Sequence, residues 1–159
     1  MLQHLTLHTD HAQADVVAQA ERLAPRLTER ELPAFHQHTV DVGMLAQALE
    51  PYQDFQNLII IANGGSRTSA LGYWQSLAHE RNSTRVEFLS TMDPDAITHL
   101  REQYSPENTL VMPVSKSGTN IDVLEPLLQF LDYPVLAVTS PDTGVLYEMA
   151  QLRNWDVIP

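Results

Sequence analysis

The amino-acid sequence predicts an α/β protein in which helices cover both faces of a parallel sheet. From residue 57 onward, apolar runs of strand length alternate with segments of helical periodicity, which is typical of crossover units. These runs are almost continuously apolar, as in Leu58–Ala62, and this fits strands buried on both faces better than half-exposed ones. The chain has 159 residues, which is long enough for one domain with its own core.

Helical segments precede the first strand. Apolar residues recur at helical spacing within residues 10–27, where Asp10 is a suitable N-cap. A second, shorter helix is predicted over Val40–Leu49. We therefore expect an N-terminal helical arm over residues 1–56, which packs on a larger α/β domain over residues 57–159.

Five strands and four helices are predicted in the larger domain. The strands are Leu58–Ala62, Val86–Leu89, Thr109–Val114, Val135–Thr139 and Trp155–Ile158. The helices lie near Ser66–His79, Pro94–Tyr104, Thr119–Leu131 and Gly144–Leu152. Two prolines disturb this pattern, because Pro113 removes one N–H donor from its strand and Pro126 is expected to kink its helix.

The composition argues against several classes of protein. Twenty acidic residues against nine basic ones give a net charge of −11, which disfavours duplex nucleic acid as a partner. The absence of cysteine excludes disulfides and thiolate metal sites. His4 and His8 have no accompanying carboxylate motif, so we interpret the early histidines as solvated surface. We therefore expect no metal, no cofactor and no nucleic-acid partner.

Nothing in the sequence indicates a membrane protein. No apolar run approaches the roughly 18 residues of a membrane span. The N-terminus, Met-Leu-Gln-His, lacks the basic and apolar regions of a secretory signal. We therefore expect a cytoplasmic protein with no membrane partner.

Small polar residues and glycine follow two of the predicted strands. The first loop, Asn63-Gly64-Gly65-Ser66, comes directly after Leu58–Ala62. The second loop, Ser115-Lys116-Ser117-Gly118-Thr119-Asn120, comes directly after Thr109–Val114 and contains the only lysine of the chain. In an open parallel sheet, ligands bind outside the carboxyl ends of the strands, where helices begin. The glycine spacing matches neither the dinucleotide fingerprint nor the nucleotide P-loop.

Both loops have the chemistry of an anion site. A helix N-terminus offers unpaired N–H groups, and glycine allows an oxyanion to approach the backbone. Ser115, Ser117 and Thr119 add hydroxyl donors; a hydrogen bond to a charged acceptor contributes roughly 1.5–3 kcal/mol, so four or five could hold a phosphate. The same residue types are also ordinary cap and turn residues. The occurrence of two such loops favours a phosphate site over capping alone.

Three segments in this order resemble the first sugar isomerase (SIS) domain of phosphoglucose isomerase. They are the first loop, Ser90-Thr91-Met92-Asp93-Pro94-Asp95, and the second loop, and the resemblance covers Asn57–Pro159. It implies a five-stranded parallel sheet in a three-layer αβα sandwich, which is flavodoxin-like. It also implies that a hexose 6-phosphate binds through its phosphate to Gly65, Ser66, Ser115, Lys116, Ser117, Gly118, Thr119 and Asn120. Arg67 replaces the usual acidic residue of the family and could add positive charge near the ligand.

The resemblance places the chemistry of aldose–ketose isomerisation elsewhere. This reaction needs a carboxylate base against the reacting carbon, which the family takes from a second SIS domain and a dimer partner. No residue here matches that base, so we identify no catalytic residue. We expect the N-terminal portion of a glucose-6-phosphate isomerase-like enzyme, with a second SIS domain or a homo-oligomer as partner.

Two alternatives remain open at this point. The chain could be a stand-alone phosphosugar-sensing module that acts through a partner protein. It could also be a homo-oligomeric isomerase that builds its site between identical subunits, with Glu125, Glu148 or a surface histidine as the base.

Overall fold

The computed structural model describes residues 41–77 and 84–159, together with Ala18 and Arg22, which are helical and exposed. The helix predicted over residues 10–27 lies outside the described residues apart from these two positions, as do the early histidines. Residues 41–159 form one compact unit. The division of the chain into an arm over residues 1–56 and a domain over residues 57–159 stays a prediction.

The predicted α/β class is confirmed, with a five-stranded parallel sheet flanked by helices. The strands are β1 (Asn57–Ala62), β2 (Arg85–Leu89), β3 (Thr109–Val114), β4 (Leu136–Val138) and β5 (Asp156–Ile158). The helices are α1 (Val42–Leu49), α2 (Gly64–Ser76), α3 (Pro94–Gln103), α4 (Ile121–Leu127) and α5 (Val145–Arg153). Each predicted strand is present, and no boundary differs from the prediction by more than one residue.

The strand order is β2-β1-β3-β4-β5, so the chain reverses its direction across the sheet after β2. β1 and β3 are neighbours and pair in parallel along their whole length, from Asn57 opposite Thr109 to Ala62 opposite Val114. Both strands therefore end at the same level. This reversal point is where open α/β sheets bind ligands.

The core lies where the sheet meets α3, α4 and α5. It is formed by apolar side chains that include Ile59 and Val111 from the sheet, Val123 from α4 and Leu146 from α5, all without solvent exposure. Phe130, just after α4, is also fully buried and meets Tyr133 edge-on, with 5.2 Å between the ring centroids. The helices that follow β3 and β4 are thus held firmly against the sheet.

The two prolines have the local effects expected of a missing N–H group. The Val111 N–H donates to the Pro134 carbonyl at 2.9 Å, and the Ser115 N–H donates to the Val138 carbonyl at 3.0 Å. Pro113 lies midway between these two donors and has no backbone N–H group to donate. β3 and β4 therefore pair only on either side of Pro113. Pro126 lies within α4, which ends at Leu127 and continues as a 3-10 turn. The predicted helix to Leu131 is therefore divided in two.

An arginine links α3 to the connection between α4 and β4. The Arg101 guanidinium donates to both carboxylate oxygens of Asp132, at 2.8 and 2.9 Å. It also lies over the rings of Phe130 and Tyr133, at 5.8 and 5.3 Å from their centroids. The hydrogen bond from Arg101 lowers the pKa of Asp132 below its ordinary value.

Substitution of Asp132 by Asn is expected to lower the free energy of unfolding at neutral pH by about 0.5 kcal/mol, since this pair is largely exposed. The folded protein has the lower pKa, so the ionised carboxylate stabilises it above the unfolded value of about 3.9. That contribution is lost as the pH falls through the folded pKa. Denaturant unfolding should show a larger difference between the two proteins at pH 7 than at pH 3; an equal difference at both would contradict this account.

Candidate functional site

A cleft of about 460 Å³ lies at the carboxyl ends of β1, β3 and β4. It is lined by Asn63, Ser66, Val114, Ser115, Lys116, Ser117, Asn120, Ser140 and Thr143. The first and second loops thus meet in one site, as the ends of two paired parallel strands must. Ser66, Ser115, Lys116, Ser117 and Asn120 are predicted site residues that line this cleft, whereas Gly65, Gly118 and Thr119 do not.

The first loop turns sharply from β1 into α2. Asn63 is the N-cap, and its side-chain Oδ1 accepts a hydrogen bond from the Gly64 N–H at 2.7 Å. Gly64 has a φ of +59°, a left-handed conformation that glycine adopts readily. Because of this early turn, α2 begins at Gly64 rather than at the predicted Ser66. The Ser66 side chain therefore belongs to the first turn of the helix, where it faces the cleft.

The second loop folds back on itself between β3 and α4. The Gly118 N–H donates to the Ser115 carbonyl at 3.1 Å, and the Ser117 and Thr119 hydroxyls share a hydrogen bond of 3.0 Å. Asn120 caps α4 by accepting from the Asp122 N–H at 3.0 Å. Ser115 is buried, whereas Ser117 is exposed at the cleft. Ser117 therefore lines the cleft, and its hydroxyl is held by a hydrogen bond with Thr119, which does not line it.

A third loop, residues 139–144, completes the cleft on the side of β4. Its Ser140 N–H donates to the Lys116 carbonyl at 3.2 Å, and the Leu146 N–H donates to the Gly118 carbonyl at 2.9 Å. Sequence reasoning missed Ser140 and Thr143, although a polar run ending in glycine directly after a predicted strand was visible there. The third loop follows the same pattern as the first two.

Two glycines allow the second and third loops to touch. Both have positive φ values, +64° at Gly118 and +86° at Gly144. A Cβ atom at Gly144 would lie 2.9 Å from the Gly118 Cα, and one at Gly118 would lie 3.1 Å from the Thr139 hydroxyl oxygen. Gly118 is therefore needed for the close packing of the second loop against the third loop.

The electrostatic character of the cleft is opposite to that of the chain. Among the residues that the structure describes, Lys116 is the only charged one that lines the cleft, and no carboxylate of this part of the chain does so. In the part of the chain that the structure describes, neither Lys116 nor Arg67, which follows Ser66, forms an ion pair. The Arg67 Nε is buried and lacks a hydrogen-bond partner within that part. Two unpaired cations at this edge of an acidic protein favour an anionic ligand.

A larger groove of about 570 Å³ lies between α3 and α4, and Met92 of the β2–α3 connection also lines it. It contains Glu125, one of the candidate bases, and none of the predicted site residues. Glu148, the other carboxylate candidate, is exposed on α5 and does not line the cleft. Neither of these two carboxylates lines the cleft.

No metal site or membrane span is found in the described residues. They contain no group of three or more histidine, aspartate or glutamate side chains arranged to hold a metal ion. Over the same residues, every helix is too short or too polar to cross a lipid bilayer.

No protein-family model matches the sequence, and no curated protein is significantly similar to it. Solved structures, however, share its fold. A hypothetical protein from Thermus thermophilus superposes with a TM-score of 0.70 at 22% identity, over 92% of this chain and 40% of that one. A glucose-6-phosphate isomerase from Chlamydia trachomatis gives 0.56 at 22% identity, over 98% and 28%. The NanR protein of Vibrio vulnificus, complexed with ManNAc-6P, gives 0.57 at 16% identity, over 89% and 54%.

These similarities establish the fold of the chain. The chain spans 40% of the length of the Thermus protein and 28% of the length of the Chlamydia isomerase.

Substitution of Gly144 by Ala is expected to destabilise the protein by about 1–3 kcal/mol, because the added methyl group meets the second loop in a backbone conformation that disfavours side chains. Gly65→Ala is the matched control: its Cβ would meet no atom within 4 Å, and its φ is not positive. Thermal unfolding should show a clear loss for Gly144→Ala and almost none for Gly65→Ala. Equal melting temperatures for the two variants would disprove the close contact between the loops.

Proposed function

We propose that this chain binds a hexose 6-phosphate and forms the phosphosugar-binding N-terminal portion of a glucose-6-phosphate isomerase-like aldose–ketose isomerase. The observation that carries the proposal is the cleft at the reversal point of the sheet: the described residues that line it offer many hydroxyl and amide groups, one lysine and no carboxylate. The structural similarity to the Chlamydia isomerase and to the NanR complex with ManNAc-6P supports the same class of ligand.

The phosphate group is assigned to the space between the first and second loops. Ser66 approaches it from α2, and Ser115 and Ser117 approach it from the end of β3. Lys116 supplies a positive charge that no described carboxylate neutralises. Charge-assisted hydrogen bonds of this kind contribute roughly 1.5–3 kcal/mol each, which is enough for several short side chains to hold a dianion without a metal.

The sugar is assigned to the rest of the cleft. The cleft, at about 460 Å³, is far larger than a phosphate group and falls within the usual size range of small-molecule sites. Ser140 and Thr143 line the side of the cleft beyond β3, opposite the first loop. Their neutral hydroxyl groups suit the hydroxyl groups of a sugar, whereas an ammonium group would find no carboxylate there.

The proton transfer of the isomerisation is assigned to a different part of the enzyme. An aldose–ketose isomerase needs a base beside the reacting carbon, and no histidine or carboxylate of the described residues lines this cleft. Glu125 lines the other groove, between α3 and α4. The division of labour is therefore that this chain anchors the substrate while a second SIS domain, or a second subunit, supplies the base.

A second candidate function is that of a phosphosugar sensor. The observation that favours it is the similarity to NanR bound to ManNAc-6P, together with the absence of a base in the cleft. Both candidates predict ligand binding. They differ in whether an adjacent gene segment encodes a second SIS domain or a regulatory protein.

Ser117→Ala should weaken the binding of fructose 6-phosphate about tenfold or more, because one hydrogen bond to the charged phosphate is lost. Isothermal titration calorimetry on the purified chain measures this effect. Ser76→Ala is the matched control: the Ser76 hydroxyl donates to the Gly72 carbonyl at the far end of α2, so its loss should leave the affinity unchanged. Unaltered binding by Ser117→Ala would rule out the second loop as the phosphate site.

The chain alone should show negligible conversion of fructose 6-phosphate to glucose 6-phosphate, since no base lines its cleft. A coupled dehydrogenase assay measures the turnover, and a rise in melting temperature with the sugar phosphate shows that the protein is folded and binds. Rapid turnover that scales with the concentration of this chain would contradict the assignment of the base to another domain.

A further inference from the structure

Two polar side chains connect the loops on either side of the cleft. We infer that Asn63 and Asp122 form a positioning pair that sets the separation of the first and second loops and holds the Asp122 carboxylate out of the cleft. This inference rests on the proposed function, because it concerns the affinity of the same site for a phosphorylated ligand.

The Asn63 amide is used at both of its ends. Its Oδ1 accepts from the Gly64 N–H at 2.7 Å, and its Nδ2 donates to the Asp122 carboxylate at 2.5 Å. The Asp122 N–H donates in turn to the Asn120 side-chain oxygen at 3.0 Å. Three hydrogen bonds in series therefore run from the backbone of the first loop to the cap of the second.

This series joins parts of the chain that are far apart in sequence. Asn63 and Asp122 are 59 residues apart: Asn63 lies between β1 and α2, and Asp122 lies in the first turn of α4. The β1–β3 pairing brings the strand ends side by side, but the loops beyond the last paired residues have no ladder to hold them. The Asn63–Asp122 hydrogen bond holds the first loop and the start of α4 together beyond the last paired residues of β1 and β3.

The hydrogen bond from Asn63 also fixes the position of the Asp122 carboxylate. Asp122 is half-buried and does not line the cleft, whereas its partner Asn63 does. A free carboxylate at this position would repel a phosphate dianion at short range. The hydrogen bond from Asn63 engages one carboxylate oxygen and turns a neutral amide toward the ligand.

An ordinary helix-end role for Asp122 makes a different prediction. Acidic residues in a first helical turn stabilise the helix through its dipole. Asp95 has this role in α3: it is the second residue of the helix, and its N–H is capped by the Asp93 side chain at 3.1 Å. Asp95→Ala is therefore a matched control for Asp122→Ala.

The experiment measures the affinity of the full chain for fructose 6-phosphate and for inorganic phosphate by titration calorimetry. Asp122→Ala removes the acceptor, and Asn63→Ser removes the donor while keeping an oxygen that can cap α2. We expect each variant to bind roughly tenfold more weakly, about the loss of one charge-assisted hydrogen bond. Asp122→Asn keeps an acceptor oxygen and should recover most of the affinity, and the double variant Asn63→Ser/Asp122→Ala should be no weaker than either single one.

The outcomes separate the inference from the proposed function. Two results would overturn the positioning pair alone, provided that the wild-type chain binds the ligand. One is an affinity of Asp122→Ala equal to that of the wild type, and the other is an affinity of Asp122→Asn as weak as that of Asp122→Ala. Absence of binding by the wild-type chain overturns the proposed function and the pair with it. Melting temperatures show which variants fold, and Asn63→Ser decides the question if Asp122→Ala does not. We expect Asp95→Ala to retain the wild-type affinity. A loss of affinity in this variant would mean that carboxylates in the first turn of a helix affect binding in general, and it would overturn the inference.

Discussion

The parallel pairing of β1 with β3 is the constraint on which the site depends. The two strands are adjacent although β2 separates them in the chain, and their paired residues run from Asn57 and Thr109 to Ala62 and Val114. Their carboxyl ends therefore stop at one level, and the helices that follow leave the sheet from neighbouring points. A shift in the register of β1 against β3 would move the two loops apart, and the cleft between them would be lost. The buried apolar core on these strands thus acts indirectly on the site, because it holds the register in place.

Beyond the last paired residues, the loops are held by contacts with one another. The second loop accepts one backbone hydrogen bond from Ser140 of the third loop and one from Leu146 of α5, and Gly118 closely approaches Gly144. The first loop is connected to the start of α4 through Asn63 and Asp122. A site held in this way loses little conformational entropy when a ligand binds, since its donors are already in place. Short side chains such as Ser66 and Ser117 add to this effect because they have few rotamers to restrict.

The distribution of charge is compatible with the anion site that we propose in an acidic protein. The surplus of carboxylates gives a net charge of −11, yet two carboxylates of the elements around the cleft are engaged in hydrogen bonds. Asp122 is engaged by Asn63, and Asp142 of the third loop accepts from the Tyr147 hydroxyl at 3.1 Å. Charges farther away are screened over about 8 Å at physiological ionic strength. Contact donors therefore outweigh the overall charge within the cleft.

Local patterns in the sequence account for the elements and for the two loops. Apolar strand-length runs, capping residues such as Asn120 and the position of Pro126 act over a few residues, so they can be recognised without knowledge of the fold. The inclusion of Ser140 in the cleft, the absence of Gly118 and Thr119 from its lining, and the contact of Asn63 with Asp122 could not be recognised in this way. These features join segments that are tens of residues apart, and their distances follow from strand order and register. Local sequence patterns thus reveal the residue types at the site, whereas strand order and register in the folded sheet bring these residues together.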